Sequence, residues 1–265
     1  MNKFEGVLLV SDIDGTLIDG HNKIPAENSE AIRYFKEEGG IFTIASGRIP
    51  QGITYFDLPF DVPIITHNGA AIYDCQKDEY LWTAPLDERA QEVIDHTVEK
   101  FPESGVEMYH GSDVYFYNYN ETARFHIDYE GLDDIAMDYW KVPAPWLKAI
   151  FVQEPRLTPA VRKDLEEGPF AARYNIIQSA DIFCELLSPH ASKGDALPVL
   201  AQIVGAKHVA AVGDNENDLT MLHAAEFGFA VENAVDTAKQ AAQYRACANT
   251  RGAGADVIRQ LERML

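Results

Sequence analysis

The chain has 265 residues, 46% of them hydrophobic and 24% charged, which excludes a stapled mini-protein and extensive disorder and leaves room for one large or two modest domains. Against 42 acidic residues stand 22 basic ones, a net charge of −20 that repels polyphosphate backbones and anionic bilayers, so no nucleic acid and no membrane is expected as a partner. A small anionic substrate stays open, provided some local device reverses the field.

From the start, short apolar runs alternate with helical stretches. Val7 to Val10 reads as a fully buried strand, Glu27 to Glu38 as a helix stopped by Gly39-Gly40, and Ile41 to Ala45 as a second strand. A short helical or loop segment follows, then a third strand at Pro63 to Thr66. Between residues 83 and 189 the texture changes. Aromatic runs such as VYFYNYN and ARYNIIQ are rich in sheet formers, DERAQEVIDHTVEKF and TPAVRKDLEE are helical, and the elements come in runs instead of strict alternation. Alternation returns with a helix at Ser192 to Val204, a strand at His208 to Val212, a helix at Asp218 to Ala225 and a strand at Phe227 to Val231. A helix near Ala234 to Gln243, a short strand around Arg245 to Ala248 and a terminal helix from Ala255 complete the chain.

Apolar strands separated by helices predict an α/β core with a doubly wound, Rossmann-like parallel sheet covered on both faces. The expected domains are a core made of residues 1–82 and 190–265 and an inserted α+β domain at 83–189. The insert holds nine basic and twenty acidic residues, so it carries −11 of the −20. Its aromatic stripe reads as the packing of a small sheet. Cys75, Cys184 and Cys247 lie far apart with no ligand spacing and read as free thiols in a reducing cytosol. No apolar run approaches a membrane span and the N-terminal stretch lacks a secretory pattern, so a cytoplasmic location is expected.

The first strand runs into SDIDGT. If the chain is still extended there, Asp12 and Asp14 point to the same side, and two carboxylates in one small space call for a proton or a divalent metal between them. Gly15 and Thr16 supply turn chemistry. At the end of the second strand stand Ser46, Gly47 and Arg48: a hydroxyl, a glycine that lets backbone N–H groups approach a ligand, and a cation. After the insert, GDNEND places Asp214 at a strand tip and Asn217 and Asp218 at the start of the next helix. In a doubly wound sheet, ligands bind beyond the carboxyl ends of the strands, and Asp12, Ser46 and Asp214 all fall on that edge. Lys193 begins a helix, against the preference of the helix dipole, a conflict that a bound anion would remove.

Taken together, DIDGT, SGR, the isolated Lys193 and GDxxxD resemble the four motifs of the haloacid dehalogenase-like phosphohydrolases. The insertion after THNGA is similar to that of the Cof-type subfamily, whose α+β cap is called C2B. This resemblance covers essentially the whole chain and implies a Mg²⁺-dependent phosphatase acting on small phosphomonoesters, most of all sugar phosphates. It implies that Asp12 is the nucleophile, forming an aspartyl-phosphate, and that Asp14 protonates the leaving oxygen and later deprotonates water. The carboxylates of Asp12 and Asp214 with the backbone carbonyl of Asp14 would hold Mg²⁺, supported by Asp218. Ser46, the Gly47 amide, Asn217 and Lys193 would hold the phosphoryl oxygens. Asn68 and Gly69 would contact substrate, and Arg48 would touch phosphate or leaving group or else form a structural ion pair. His67 stands where many relatives have cysteine or another small residue, and a lone histidine reads as structural.

Two other functions start from similar residues. A phosphomutase of the phosphomannomutase kind would need clustered arginines in the insert, whereas Arg124, Arg156, Arg162 and Arg173 are scattered. A non-catalytic phosphate-binding module would be favoured by the loss of Asp12 or Asp14, and both are present. No GxGxxG follows the first strand, which argues against a dinucleotide-binding oxidoreductase.

Overall fold

The computed structural model describes residues 2–21, 23–54, 61–133 and 135–265. In chain order the elements are β1 (Val7–Ser11), α1 (Ala26–Glu37), β2 (Ile41–Ile44), α2 (Pro50–Thr54), β3 (Ile64–Thr66), β4 (Ala71–Asp74), β5 (Glu79–Thr83), α3 (Ala90–Lys100), β6 (Gly105–His110) and β7 (Asp113–Tyr117). They continue with α4 (Glu121–Glu130), β8 (Ile135–Ala136), β9 (Lys148–Val152), α5 (Thr158–Glu167), β10 (Asn175–Ala180), β11 (Phe183–Leu187), α6 (Lys193–Val204) and β12 (His208–Gly213). The chain closes with α7 (Leu219–Ala224), β13 (Phe227–Val231), α8 (Asp236–Ala241), β14 (Tyr244–Ala246) and α9 (Ala253–Met264).

Two compact units result. One contains the chain up to Gly47, a segment ending at Trp82, and everything from Ser192 onward; the other contains the segment opened by Arg48 and residues Thr83–Ala191. Cutting the chain at residue 82 by sequence texture alone leaves the Arg48 segment in the core, but it packs in the second unit, where Ile49 is buried beside Tyr109 and Phe116.

The first unit is built on a parallel sheet in the order β14-β13-β12-β1-β2. Every residue of β1 is buried, as its continuous apolar run requires of a strand covered on both faces. Leu8 and Val10 join Ala211 in a cluster with Leu197 and Leu200 of α6 and Met221 of α7. Val7 and Leu9, of opposite pleat, are equally buried, and α1 packs against β2 and against α9. Ser11 stands level with Val212 of β12 and Ile44 of β2, and the bonds Asp12 N–H to Val212 O (2.9 Å) and Ala45 N–H to Ser11 O (2.9 Å) carry the ladder one step further. The carboxyl ends of three adjacent strands therefore share one edge.

The third strand keeps the expected parallel direction beside β2 but joins it loosely. β3 touches β2 through a single parallel bridge, Ala45 to Ile65, and pairs antiparallel with β4, in a separate sheet ordered β3-β4-β5. The antiparallel pairing has a local cause: His67, Asn68 and Gly69 take φ values of 54°, 54° and 92°, and this left-handed run reverses the chain straight after β3.

The second unit has the expected α+β texture. Its sheet runs β10-β11-β9-β6-β7-β8, antiparallel except for the last pair. On one face Val106, Met108, Phe151 and Leu186 pack with α3 and α5; on the other Tyr109, Phe116 and Ile150 pack with Ala123 and Ile127 of α4. Tyr115 and Tyr117 pack against the first of these clusters, so that part of the aromatic stripe is core, as read from the sequence.

Asn28 ties the turn after β1 to its surroundings. Its fully buried side chain donates to the Leu17 carbonyl (3.0 Å) and accepts from the Ala255 N–H (3.0 Å) at the start of α9. Asn28→Ala leaves both backbone groups without a partner, and the expected loss is about 2–3 kcal/mol of unfolding free energy, seen as a lower urea midpoint at unchanged slope. A midpoint equal to wild type would show that this tie holds nothing.

Candidate active site

Strand β1 ends at Ser11, and Asp12 is the first residue beyond it. The Ser11 hydroxyl donates to the Asp12 carbonyl (2.7 Å), and the Asp12 side chain is almost wholly buried. The chain then leaves the sheet, with Gly15 at φ 80°. Asp12 and Asp14 both keep extended backbone angles, with Asp12 buried just beyond the last paired residue of β1 and Asp14 exposed. Asp12 is crowded instead from β12. One carboxylate oxygen each from Asp12, Asp214 and Asp218 lie within 4.8 Å of one another.

Lys193 balances this crowd. With no solvent exposure, its ammonium donates to Asp12 Oδ1 (2.6 Å) and to Asp218 Oδ1 (2.7 Å). The helix that carries it begins at that residue, with the Ser192 hydroxyl as N-cap accepting from the Asp195 N–H (3.0 Å). The anion that a lysine at this end calls for is supplied by the chain's own carboxylates. Asp218 is fixed from its other oxygen, which accepts from the backbone N–H groups of Asp214 (2.8 Å) and Asn215 (3.1 Å). This is the return arm of a capping box at the turn after β12.

A second group of expected residues gathers around the turn after β3. The Asn68 N–H donates to the Ser46 carbonyl (3.0 Å), and Asn217 Nδ2 donates to Asn68 Oδ1 (2.9 Å), joining the ends of β2, β3 and β12. Gly47 lies against the Asn68 amide. Gly69 sits on the start of α6, where a Cβ would fall 2.0 Å from the Ser192 carbonyl carbon; no other residue fits, and this contact seats the turn beside Lys193. His67 is fully buried with Nδ1 2.9 Å from the Thr66 hydroxyl. Arg48 belongs to the second unit, where it stands 3.9 Å from Glu130.

Sequence reasoning passed over two supports. Thr16, read as a turn residue, donates its hydroxyl to Asp214 Oδ1 (2.8 Å), a role its place after DxDG signals. Asn233 donates to the Gly15 carbonyl (2.8 Å) and accepts from the Asn249 N–H (2.9 Å), and nothing in the surrounding ENA marks it.

The electrostatics follow from burial. Burial foremost pushes the Asp12 acid well above the usual carboxylate range; Lys193 opposes this, while Asp218, Asp214 and Asp14 add to it. Burial and then Asp218 push Asp214 up to about 6. Burial would strip the Lys193 proton, but Asp12 and Asp218 hold the group above its ordinary value. With all four groups charged, three carboxylates and one ammonium carry two surplus negative charges, the complement of a divalent cation. The donors are all carboxylate oxygens, which suits a hard ion, and a Cβ on Gly15 would fall 2.6 Å from Asp214 Oδ2, so only glycine leaves that oxygen room.

Comparison with known proteins agrees with this geometry. Residues 9–258 match a family model described as haloacid dehalogenase-like hydrolase. The chain is 28% identical over 272 residues to YxeH of Bacillus subtilis, covering 96% of this chain and 97% of that one. It is 27% identical over 286 residues to YwtE of the same organism, named a 5-amino-6-(5-phospho-D-ribitylamino)uracil phosphatase, covering 94% and 96%. The crystal structure of a haloacid dehalogenase-like hydrolase from Bacteroides thetaiotaomicron has the same fold, with a TM-score of 0.81 at 24% identity over 99% of this chain and 100% of that one.

The raised Asp214 acid sets a pH test. Its folded-state value of about 6 lies above its ordinary 3.8, so the folded chain holds that proton more tightly than the unfolded chain does. The resulting stabilisation is complete below 3.8 and is lost as pH rises to about 6, by up to about 3 kcal/mol. In chelator, Asp214→Asn should therefore gain stability over wild type across that window and keep a constant margin above it. A difference independent of pH would contradict the assignment.

Proposed function

Since the chain belongs to the haloacid dehalogenase-like hydrolase family, in its Cof-type branch, and is a phosphatase, we propose that it hydrolyses small phosphomonoesters at the Asp12–Lys193 site through an aspartyl-phosphate, with Mg²⁺. The observation that carries this reading is the Asp12 carboxylate, buried at a strand end, held at Oδ1 by the Lys193 ammonium and crowded by Asp214 and Asp218. Asp12 and Asp214, with the Asp14 carbonyl, are the groups assigned to Mg²⁺, and Asp218 supports them. When bound, the ion offsets the two surplus negative charges and stabilises charge on the phosphoryl oxygens.

In the first step an Asp12 oxygen forms a bond to phosphorus while the bond from phosphorus to the leaving oxygen breaks, and Asp14 gives that oxygen its proton. In the second, water attacks phosphorus, Asp14 takes a proton from it, and the bond to Asp12 breaks. The products are an alcohol and inorganic phosphate, and both residues return to their starting state. Exposed Asp14 reaches solvent, as an acid that must later receive a water proton requires. The Ser46 hydroxyl, the Gly47 N–H, the Asn217 amide and Lys193 are the donors assigned to the phosphoryl oxygens, with Asn68 and Gly69 beside them. Lys193 opposes the burial that favours the protonated Asp12 acid, and so favours the carboxylate that a nucleophile needs.

For the leaving group we favour a polyhydroxylated molecule, sugar phosphates above all, chosen by the insert. The relative YwtE is named for a phosphate on a ribityl chain, and an insert with twenty acidic and nine basic residues suits hydroxyls better than a second phosphate. Cys75, Cys184 and Cys247 form no disulfide among the described residues, which fits a reducing compartment, the cytoplasm.

Release of phosphate from p-nitrophenyl phosphate should require Mg²⁺ and stop with chelator. Asp12→Asn should lower kcat at least about 10³-fold, and Asp14→Asn about 10²-fold, both at near wild-type thermal stability. Turnover that survives chelation removes the metal from the account, and an active Asp12→Asn enzyme removes the nucleophile.

A further inference from the structure

One face of the second unit's sheet buries a chain of charged groups. Glu107, on β6, has no exposure; its carboxylate accepts from the Tyr109 hydroxyl (2.9 Å) and lies 2.9 Å from His126 Nδ1 on α4. The other ring nitrogen of His126 lies 3.5 Å from Glu130, one turn further along the helix. Glu130 in turn faces Arg48 at 3.9 Å, and the Arg48 guanidinium stands 5.8 Å from the centre of the Tyr129 ring. A histidine with a carboxylate at each nitrogen donates from both, and so is an imidazolium. Burial pulls its pKa down, but Glu107 and Glu130 together bring it up to about 10.

Such a chain is a poor device for stability, since apolar side chains of similar volume would fill the same space without desolvating charge. Phe116, Ile127, Ile150 and Val152 fill other parts of that face in this way, beside a second buried ion pair, Lys148–Glu185 (2.9 Å). What the charged chain does accomplish is to end on Arg48, the residue that follows Gly47. Ile49, next along, is buried in the same face, so the segment opened by Arg48 is tied to it by the Arg48–Glu130 ion pair and by an apolar side chain. One peptide bond before it stands Gly47, and two residues before it Ser46.

We propose that His126 is a positioning residue: through Glu130 it fixes Arg48 and, by way of the backbone, the Ser46–Gly47 loop that receives the phosphoryl group. This inference rests on the function proposed above. It assigns the imidazolium a share in the chemical step although it touches no reacting atom, and it makes His126 and Arg48 one unit.

The test is a double-mutant cycle on p-nitrophenyl phosphate turnover with Mg²⁺. His126→Gln and Arg48→Lys should each lower kcat about tenfold while KM changes less than about threefold, and the double variant should lose the same tenfold, not the hundredfold of independent sites. Glu130→Gln keeps the side-chain shape, should show the same loss, and takes the place of His126→Gln if that variant does not fold. A wild-type protein without phosphate release overturns the proposed function and this inference together. An active wild type whose kcat is indifferent to these substitutions, or whose losses multiply, overturns this inference alone.

Discussion

Lys193 brings a fully buried ammonium within 2.6 Å of Asp12 and 2.7 Å of Asp218, two carboxylates carried at the ends of different strands. Without it, both would lie buried and uncompensated next to Asp214, and removing one partner from a buried pair typically costs about 3–5 kcal/mol. The same contact joins three pieces of chain distant in sequence: the end of β1, the start of α6 and the turn after β12. Gly69 adds a fourth, because its turn seats on the backbone of Ser192 and Lys193. The surplus of two negative charges that remains is what gives the site its demand for a cation.

The sheet makes this convergence possible. Parallel strands place their carboxyl ends on one edge, and level pairing of Ser11 with Val212 and Ile44 brings three such ends into line. The helix that follows the insert delivers its first residue to that edge, where a capped N-terminus would ordinarily repel a lysine. Here the dipole's preference is overridden by two carboxylates at contact distance, whose attraction is far larger than the effect of the first turn.

Much of this was legible in the sequence because the elements that carry the site are strongly patterned. The apolar run before SDIDGT, the strand His208 to Val212 before GDNEND and the helix at Ser192 to Val204 occupy nearly the places read for them. Periodicity does not show where a strand stops relative to a functional side chain. Asp12 and Asp14 are both extended, yet β1 has stopped pairing before the first and the second is exposed. Backbone chirality is equally hidden: a left-handed run at His67 and Asn68, two residues with side chains, reverses the chain so that β3, which meets β2 in a parallel bridge, also pairs antiparallel with β4. Long-range side-chain ties such as Asn233 to the Gly15 carbonyl, 218 residues apart, have no local signal. The grouping of Arg48 with the insert is of the same kind, since it depends on Glu130 and on the burial of Ile49.

The charge of −20 takes on a different meaning in this light. Part of it is concentrated at one strand edge, where Lys193 and a divalent cation would turn a repulsive field into one that accepts a phosphoryl group. The account stands or falls on Asp12 as the atom donor that receives that group. Acid quenching of wild-type protein mixed with excess phosphate-labelled substrate and Mg²⁺, followed by proteolysis and mass spectrometry, tests it most directly. The account predicts an acid-stable, hydroxylamine-sensitive phosphate on the peptide containing Asp12, absent when Asp12 is changed to Asn. Label on another residue, or turnover with no phosphorylated peptide even when Asp14→Asn slows the second step, would contradict it.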